Sequence, residues 1–395
     1  MMGTALLILG SMIVLYPLVV YPAILALAAA VQGRGMDEEQ PREVPNQGFP
    51  TISITVPVYN EIHQIEGLLE SLVALDYPKD RRQILVVSDG STDGTDQAVD
   101  AWAHRGVELL TVAERGGKGA AENAARPHLT GEIVVNTDAS VRIRPDALRY
   151  LTRPFRDPLV GVVSGRDISV ARDGADANAG EGGYVGYEMK VRELETLAGG
   201  IVGASGCLYA TRAHLQREPV LPQLSRDFAS VLIAQDHGYR ALSAPGAICY
   251  VPRTGSVRKE YGRKVRTVAR GMSTLWAWRH LMNPIRHPVF AWKLLSHKAG
   301  RWAMPFGLLS IVAGLAFLAP TKGWAGLGLG IVVVFTGLGL VGWRLSRPDR
   351  MLSPILSVPA YLIMANVAVL HALGRVLSRG PERLWEPTRR GSVAR

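Results

Sequence analysis

Residues 83–94 read QILVVSDGSTDG, and this stretch decides the class of fold. The largely apolar run 83–88 predicts a buried strand. It is followed directly by Asp, Gly, Ser and Thr, which form turns and begin helices. The polar residues Asp89 to Gly94 then lead into a helix that we predict to end near His104. The pattern is therefore strand, turn and helix, with polar side chains at the carboxyl end of the strand.

The same pattern repeats on both sides of this stretch. Further strands are predicted at Ile52–Val56, Val107–Val112 and Glu132–Thr137, with amphipathic or glycine-initiated helices between them. Strands alternating with helices of about 10 to 15 residues indicate a Rossmann-like α/β fold, with a mostly parallel sheet covered on both faces. In such sheets ligands bind at the carboxyl ends of the strands. Polar residues follow those ends at Asn60, Glu61, Asp89, Lys118 and Asp138.

Apolar segments flank this α/β region. Thr4–Val31 carries no charged residue and exceeds the roughly 20 residues that cross a bilayer. No Lys or Arg precedes it, so we predict an uncleaved transmembrane helix rather than a signal peptide. Three more apolar segments follow the α/β region, at Trp302–Pro320, Trp324–Trp343 and Met351–Leu377.

The net charge of +10 is concentrated before these C-terminal segments. Residues 250–301 contain twelve Lys or Arg residues and only one acidic residue, Glu260. A basic block beside a membrane span favours lipid headgroups or a polyphosphate leaving group over nucleic acid as its partner. The block also places the α/β domain in the cytoplasm and the N-terminus outside. A single crossing by 351–377 would leave the basic tail outside, so a broken or re-entrant helix, interrupted by Pro354, Pro359, Asn366 and His371, is the alternative.

These features predict five regions. They are an N-terminal transmembrane helix at 1–32, an α/β domain at 45–250, basic interfacial helices at 251–301, C-terminal transmembrane helices at 302–378 and a basic tail at 379–395. Cys207 and Cys249 lie in apolar stretches without metal-type spacing, so both are predicted to be reduced core residues.

Two polar segments each allow a structural and a functional interpretation. Asp93 and Thr92 are predicted helix caps, whereas Asp89 faces the crevice, where its carboxylate can accept a hydrogen bond from a nucleobase or a ribose hydroxyl. The backbone N–H groups of Gly116–Gly119 can cradle a phosphate, with Lys118 adding charge. A glycine turn with a solvated lysine accounts for that motif equally well.

Further acidic residues carry the same ambiguity. Asp138 either caps the next helix or holds Mg²⁺ or Mn²⁺ against a diphosphate, and we favour the metal. Asp227 either caps a helix or acts as the general base for an acceptor hydroxyl. Glu188 and Glu195 share one face of a helix predicted at 184–197 and either contact the acceptor or form a solvated face.

The order of these motifs resembles the family 2 glycosyltransferases, and in particular the membrane-bound cellulose, poly-N-acetylglucosamine and hyaluronan synthases. The segments that carry the resemblance are TVPVYNE (55–61), SDGSTDGT (88–95), ERGGKGAAENAA (114–125), NTDAS (136–140), VGVVSGR (160–166), VGASGCLYATR (202–212), Asp227-Phe228 and SHKAGRW (296–302). No single segment is decisive, but the ordered set is specific.

The resemblance implies a GT-A fold, an inverting displacement and a divalent metal, Mg²⁺ or Mn²⁺. It assigns the nucleotide, commonly UDP, to Pro57, Tyr59, Glu61 and Asp89, with Lys118 beside it. It assigns the metal to Asp138 and general base catalysis to Asp227. It assigns the acceptor side to Gly203, Ser205 and Gly206 and the diphosphate to Arg266, and the helix face at 184–197 adds Glu188 as a candidate acceptor contact.

Three departures from the family pattern stand out. Ser140 replaces a second acidic residue of the metal motif, and Arg226 precedes the proposed base where many members are acidic. The Gln-x-x-Arg-Trp signature of processive synthases is reduced to Arg266, with Trp276 or Trp278 as possible substitutes for its tryptophan.

The expected function is transfer of a hexose or N-acetylhexosamine from a nucleotide-diphosphate sugar. The acceptor is a glycan or a lipid-linked sugar at the cytoplasmic face of the cell membrane, in polysaccharide or glycolipid synthesis. The alternatives are a nucleotidyltransferase, which would release pyrophosphate, and a non-processive transferase that adds one sugar to a glycolipid. The absence of charged residues from the apolar centres disfavours a transporter.

Overall fold

The computed structural model describes residues 1–33, 48–170, 179–252, 257–346 and 352–378. The predicted basic tail at 379–395 and the first residues of the predicted α/β domain, 45–47, lie outside this range. So does Arg253 of the basic block.

Eight strands form one sheet. In chain order they are β1 Ile52–Val58, β2 Arg82–Asp89, β3 Val107–Val112, β4 Ile133–Thr137, β5 Arg142–Ile143, β6 Val160–Val170, β7 Leu208–Arg212 and β8 Arg240–Pro252. Their order across the sheet is β3-β2-β1-β4-β7-β6-β8-β5. The pairs β3-β2, β2-β1, β1-β4 and β6-β8 are parallel, whereas β4-β7, β7-β6 and β8-β5 are antiparallel. The predicted mostly parallel sheet is thus confirmed for its first four strands.

Burial along the strands explains their positions in the sheet. Every residue of β1 is buried, whereas β3 has exposed positions at Glu108 and Thr111. A continuously buried strand belongs at the centre of a sheet covered on both faces, and a strand with exposed positions suits an edge. β1 pairs with β2 on one side and β4 on the other, so the crossover direction reverses there and opens a crevice at the carboxyl ends of β1 and β4.

Fourteen α-helices occur among the described residues. They are α1 Met2–Leu15, α2 Tyr21–Val31, α3 Ile62–Val73, α4 Thr95–Asp100, α5 Lys118–Ala125, α6 Ala147–Thr152, α7 Ala179–Leu197, α8 Ala213–Gln216, α9 Arg226–Asp236, α10 Val257–Ala277, α11 Pro288–Leu294, α12 Gly300–Leu318, α13 Gly323–Leu345 and α14 Pro354–Ser378. Side chains alternate across the strands, so α3 packs on one face of the sheet with Ile54 and Val56, and α5 packs on the other with Leu85 and Val87.

Four helices are long and apolar enough to cross a membrane: Met2–Val31, Pro288–Leu318, Gly323–Leu345 and Pro354–Ser378. The first two are each continuous through a π-helical turn, at Tyr16–Val20 and Leu295–Ala299. The second begins well before the predicted Trp302, because Pro288 suits the first position of a helix and the π turn carries it through His297 and Lys298.

The last apolar helix, α14, is unbroken from Pro354 to Ser378, so the alternative of a broken helix is wrong, whereas the side of the membrane on which the basic tail lies stays a prediction. Pro359 lies inside it and is buried where the helix packs against Gly339 of α13. The following turns pack on α10 instead, where Ala368 and Ala372 meet Val265 of the basic amphipathic helix. α14 therefore joins the apolar helices to the α/β domain.

Candidate active site

The loops after β1 and β2 are joined by hydrogen bonds. Asn60, whose φ of 52° lies in the left-handed region that Asn tolerates, accepts the backbone N–H of Thr92 at 2.8 Å. Asp93 accepts the backbone N–H of Ile62 at 3.1 Å and that of Thr95 at 3.1 Å, at the first residues of α3 and α4. Burial would raise the pKa of Asp93, but the hydrogen bonds from Thr95 and Ile62 outweigh it and lower the pKa. Asp93 thus accepts the first N–H of both helices, but the N-cap residues themselves are Glu61 and Gly94, not the predicted Thr92 and Asp93.

Asp89 is buried, and its two carboxylate oxygens accept the backbone N–H groups of Gly116 and Gly117 at 2.8 and 2.7 Å. Because these two N–H groups donate to Asp89, they do not point toward a phosphate. The prediction that the N–H groups of Gly116 and Gly117 cradle a phosphate is therefore wrong. The glycines are needed because Gly117 has a φ of 87°. Asp89 fixes the loop that leads into Lys118, and its contact with the nucleotide stays a prediction.

Lys118 begins α5 and forms the central ion pair of the site. Its Nζ lies 2.5 Å from Oδ1 of Asp138 and 3.9 Å from Oε1 of the buried Glu122. Burial alone would lower the pKa of Lys118, but Asp138 and Glu122 raise it above its ordinary value. Burial raises the pKa of Glu122, against the opposing effect of Lys118 and Arg226. Lys118 is therefore charged, and it is not the solvated lysine of the alternative interpretation.

Asp227 lies in the first turn of α9, whose N-cap is Ser225. Its Oδ1 accepts the Ser225 hydroxyl at 2.6 Å. Its Oδ2 lies against Gly206, where a Cβ would be only 3.2 Å from that oxygen. Gly206 therefore leaves room beside the carboxylate, as a base that must reach a hydroxyl requires.

Arg226, which replaces an acidic residue of the family pattern, points into the protein. It is buried and donates to the carbonyl oxygens of Gln216 and Glu218. Burial lowers its pKa from the ordinary value. The residue thus anchors the start of α9 to the preceding chain.

The Gly203–Gly206 loop, the predicted acceptor side, is held by polar contacts that the sequence interpretation missed. Ser205 donates its hydroxyl to Asp167 at 2.6–2.7 Å and its backbone N–H to Ser164 at 2.9 Å. At the other end of the loop, a Cβ on Gly203 would lie 2.8 Å from Nζ of Lys298. Asp167 directly follows the VGVVSGR motif, and Lys298 belongs to SHKAGRW. The positions of these two motifs in the sequence could therefore have identified both residues.

Glu188 and Glu195 do not form a solvated face, since both are buried. His297 lies between them, 2.7 Å from Glu195 and 3.1 Å from Glu188, and Arg301 pairs with Glu188. Burial would raise the pKa of Glu188, but Arg301 and His297 outweigh it and hold the pKa well below its usual range. Contact of Glu188 with an acceptor stays a prediction.

One cavity of about 570 Å³ brings most of the predicted residues together. The predicted site residues on its wall are Glu61, Lys118, Asp138, Glu188, Gly203, Ser205, Gly206, Asp227 and Arg266. Pro57, Tyr59 and Asp89 are not among the described residues that line it. Tyr59 instead stacks under the Arg115 guanidinium at 3.8 Å. The tryptophan on the cavity wall is Trp302, whereas Trp276 is exposed.

Few side chains in the cavity are placed to coordinate a metal ion. Within the described ranges, no group of three or more His, Cys, Asp or Glu side chains is placed to hold a metal ion. Asp138 and Ser140 on the cavity wall offer one carboxylate and one hydroxyl. Mg²⁺ commonly binds through one or two carboxylates together with substrate phosphates and waters. The residues fit a metal that is shared with a diphosphate ligand.

The chain is similar to known proteins, and one similarity extends over almost its whole length. Residues 53–208 match the family model described as Glycosyl transferase family 2. The chain is similar to the mannosyltransferase PcManGT from Pyrobaculum calidifontis, in complex with GDP-Man and Mn²⁺, with a TM-score of 0.66 and 26% identity, covering 94% of this chain and 99% of that chain.

Curated relatives match over shorter segments. The beta-monoglucosyldiacylglycerol synthase of Synechocystis sp. is 28% identical over 158 residues, which cover 39% of this chain and 33% of that protein. The poly-beta-1,6-N-acetyl-D-glucosamine synthase of Staphylococcus epidermidis is 29% identical over 122 residues, covering 30% and 29%. The matched segment thus spans about a third of these relatives.

The sheet topology and the similarity to the mannosyltransferase PcManGT define a GT-A fold, the fold of a class of glycosyltransferases. More particularly, residues 53–208 form a glycosyl transferase family 2 domain, which confirms the resemblance drawn from the sequence motifs.

Proposed function

We propose that the protein is an inverting, metal-dependent transferase. It moves a sugar from a nucleotide-diphosphate donor to a glycan or lipid-linked acceptor at the membrane. The observation that carries this proposal is the presence of Lys118, Asp138 and Asp227 on the wall of one cavity. The similar mannosyltransferase covers almost the whole chain and binds GDP-Man and Mn²⁺, which supports a nucleotide-sugar donor and a divalent metal.

The donor end of the cavity is built around the Lys118–Asp138 pair. A Mg²⁺ or Mn²⁺ ion held by Asp138 would neutralise the charge that develops on the leaving diphosphate. Lys118 supplies a second positive charge there, and Arg266 supplies another from α10 on the same cavity wall. Glu61 lies at the end of β1, beside the expected nucleotide position.

The acceptor end is built around Asp227. Its Oδ2 lies against Gly206, so an acceptor hydroxyl approaching this loop can give its proton to the carboxylate as it attacks the anomeric carbon. A single displacement of this kind inverts the anomeric configuration. Ser225 orients the carboxylate through the hydrogen bond to Oδ1.

We also propose that the catalytic domain lies on the cytoplasmic side of the cell membrane. The four apolar helices support membrane insertion, and the basic residues around α10 and α11 support the orientation through the positive-inside rule. In this arrangement a lipid-linked acceptor diffuses in the plane of the membrane and reaches the cavity from its side.

The test uses the full-length protein in lipid nanodiscs. UDP- and GDP-linked hexoses and N-acetylhexosamines are offered with Mn²⁺ or Mg²⁺ and lipid acceptors, and free nucleotide and glycosylated product are measured. We expect nucleoside diphosphate release that depends on both acceptor and metal. Release of pyrophosphate would instead identify a nucleotidyltransferase, and no turnover with any donor would reject the proposal.

Addition of a single sugar is a second candidate outcome, favoured by the size of the cavity. A volume of about 570 Å³ falls in the range of roughly 300–1,000 Å³ that is typical of pockets for single small ligands. Residues Leu362, Ala365 and Val369 of α14 line its membrane side. Mass spectrometry of the lipid product distinguishes one added sugar from a polymer.

A further inference from the structure

Lys298 brings a positive charge to the acceptor side of the cavity. It lines the cavity, and its ammonium lies over the Phe228 ring at 5.5 Å and against Gly203. Within the part of the chain that the structure describes, Lys298 makes no hydrogen bond or ion pair with another side chain. A lysine placed in this way can bind an anionic ligand without first losing a protein partner.

Arg301 and Arg192 add positive charge beside Lys298. Within the described ranges, the buried Nε and Nη2 of Arg301 have no hydrogen-bond acceptor, although the Tyr184 and Tyr187 rings pack against its guanidinium, and Nε of Arg192 lies 3.4 Å from Glu188. Glu188 is the carboxylate that pairs with both arginines. Arg301 and Arg192 therefore share one carboxylate, and Lys298 is a third cation without a direct ion pair among the residues described, while Glu195 pairs with His297. Positive charge is in excess in this cluster, so an anionic ligand that binds there would stabilise it.

The cationic site lies a short distance from the proposed base. The Gly203–Gly206 loop connects them, since Lys298 contacts its first residue and Asp227 contacts its last. Three residue steps span at most about 11 Å. An anion at Lys298 and a hydroxyl at Asp227 can thus belong to one ligand, with roughly one sugar or polyol unit between them.

The surroundings of Lys298 match a lipid. Lys298 precedes the apolar run of α12, and the same cavity is lined by Leu18 of the first apolar helix and by Leu362 and Val369 of α14. The ligand would therefore meet cations together with apolar side chains from within three of the apolar helices. An amphiphile with an anionic group next to its tail has this distribution.

On the basis of the proposed transferase function, we propose that Lys298 and Arg301 bind the phosphate of the acceptor lipid, and that the hydroxyl which attacks belongs to a polyol or sugar attached to that phosphate. The acceptor class is a phospholipid or lipid-diphosphate with a hydroxyl-bearing headgroup. Asp227 requires a hydroxyl to deprotonate, so the phosphate binds and orients this acceptor while the headgroup oxygen forms the new bond.

The first test measures steady-state kinetics of the full chain in nanodiscs. The acceptors are phosphatidylglycerol and phosphatidylinositol, with glucosyldiacylglycerol as a phosphate-free lipid that also carries hydroxyls. For the phosphate-linked acceptors, Lys298→Met should raise the acceptor KM by about 10- to 100-fold with little change in kcat or in the donor KM. Lys322→Met, an exposed lysine beyond the far end of α12, is the matched control.

Gly203→Ala provides a second variant that keeps the charge. Its new Cβ would lie 2.8 Å from Nζ of Lys298, the mobile end of a side chain, so the ammonium must move while the fold is retained. The same rise in acceptor KM is expected. An unchanged acceptor KM in both variants, a rise in the donor KM alone, or an equal effect on glucosyldiacylglycerol would overturn the proposal.

Direct binding separates this inference from the transferase function. Binding of fluorescent phosphatidylglycerol to the nanodisc-embedded protein is measured without donor, with glycerophosphoglycerol and inorganic phosphate as tail-free competitors. Loss of binding in Lys298→Met supports the site even if no sugar is transferred. Binding that is equal in wild type and variant rejects the site even if transfer occurs. If the protein binds inorganic phosphate but does not retain phosphatidylglycerol, the site is one for free anions, and the lipid acceptor is rejected.

Discussion

Nζ of Lys118 lies 2.5 Å from Oδ1 of Asp138, so the loop after β3 and the end of β4 meet at one point on the cavity wall. The pair is partly buried, and Glu122 lies next to it. A lysine and a carboxylate at the expected diphosphate position can together bind the phosphates and a divalent metal.

The first prediction concerns this pair. Asp138→Ala should weaken Mn²⁺-dependent binding of nucleotide sugar at least about tenfold, equivalent to about 1.4 kcal/mol, because the proposed metal ligand is lost. Isothermal titration with and without Mn²⁺ measures the effect. Asp146→Ala, which removes a carboxylate that pairs with Arg144 and does not line the cavity, is the control. Undiminished and metal-independent binding in Asp138→Ala would remove this residue from the metal site.

The second prediction concerns the base. Asp227→Asn keeps the shape of the side chain but cannot accept a proton, so kcat should fall about 100- to 10,000-fold while donor binding persists. Asp236→Asn, an exposed residue at the other end of the same helix, is the matched control. Unchanged turnover in Asp227→Asn would contradict the assignment.

The third prediction concerns Asp89 as a support for the glycine loop. Asp89→Ala leaves the N–H groups of Gly116 and Gly117 without their acceptor and should destabilise the domain by about 2–4 kcal/mol. Thermal unfolding in detergent measures the change, and the exposed Asp100→Ala is the control. If Asp89→Ala kept wild-type stability and lost only nucleotide binding, the residue would act as a direct ligand instead.

The fourth prediction concerns the apolar helices. A Cβ on Gly10 would lie 2.5 Å from the carbonyl oxygen of Gly307, so α1 and α12 touch through their backbones there. Gly10→Val should separate the two helices and lower the free energy of unfolding by about 1–3 kcal/mol or more. Gly337→Val in α13 has no neighbour within 4 Å and should be nearly neutral. Equal thermal stabilities for the two variants would exclude this close packing.

The fifth prediction concerns pH. Because the folded-state pKa of Glu188 is well below 4.5, its stabilising effect is complete above about pH 4.5 and is lost as the pH falls through the folded pKa. Glu188→Gln leaves Arg301 without its carboxylate partner and should destabilise the protein by about 3–5 kcal/mol at neutral pH.

The difference between wild type and Glu188→Gln should therefore shrink on acidification. Unfolding at pH 7, 5 and 3.5 measures it, with Glu193→Gln on the same helix as the comparison. A constant difference across this range would show that the Glu188 carboxylate does not titrate below its ordinary pKa as the structure indicates.

Much of the α/β domain was predictable because strand periodicity and turn residues are local properties. The strands at 52–58, 82–89 and 133–137 lie where their apolar runs predict them. The close contact of α1 and α12 also has a counterpart in the sequence, a set of spaced glycines. Gly3 and Gly10 face Gly314 and Gly307 in antiparallel order. The spacing of these glycines does not by itself specify the partner helix, because the partner is set by tertiary packing.

The sequence alone determined that an α/β domain with acidic residues at its strand ends adjoins apolar helices, since apolar periodicity and turn chemistry depend on neighbouring residues. Only the tertiary structure decided what those acidic residues contact. In the folded chain, Asp89 accepts two glycine N–H groups, Glu188 is buried against Arg301, and Lys298 lies beside Gly203. These partners lie from about 25 to more than 100 positions apart, and packing of whole elements, not local preference, sets which of them meet.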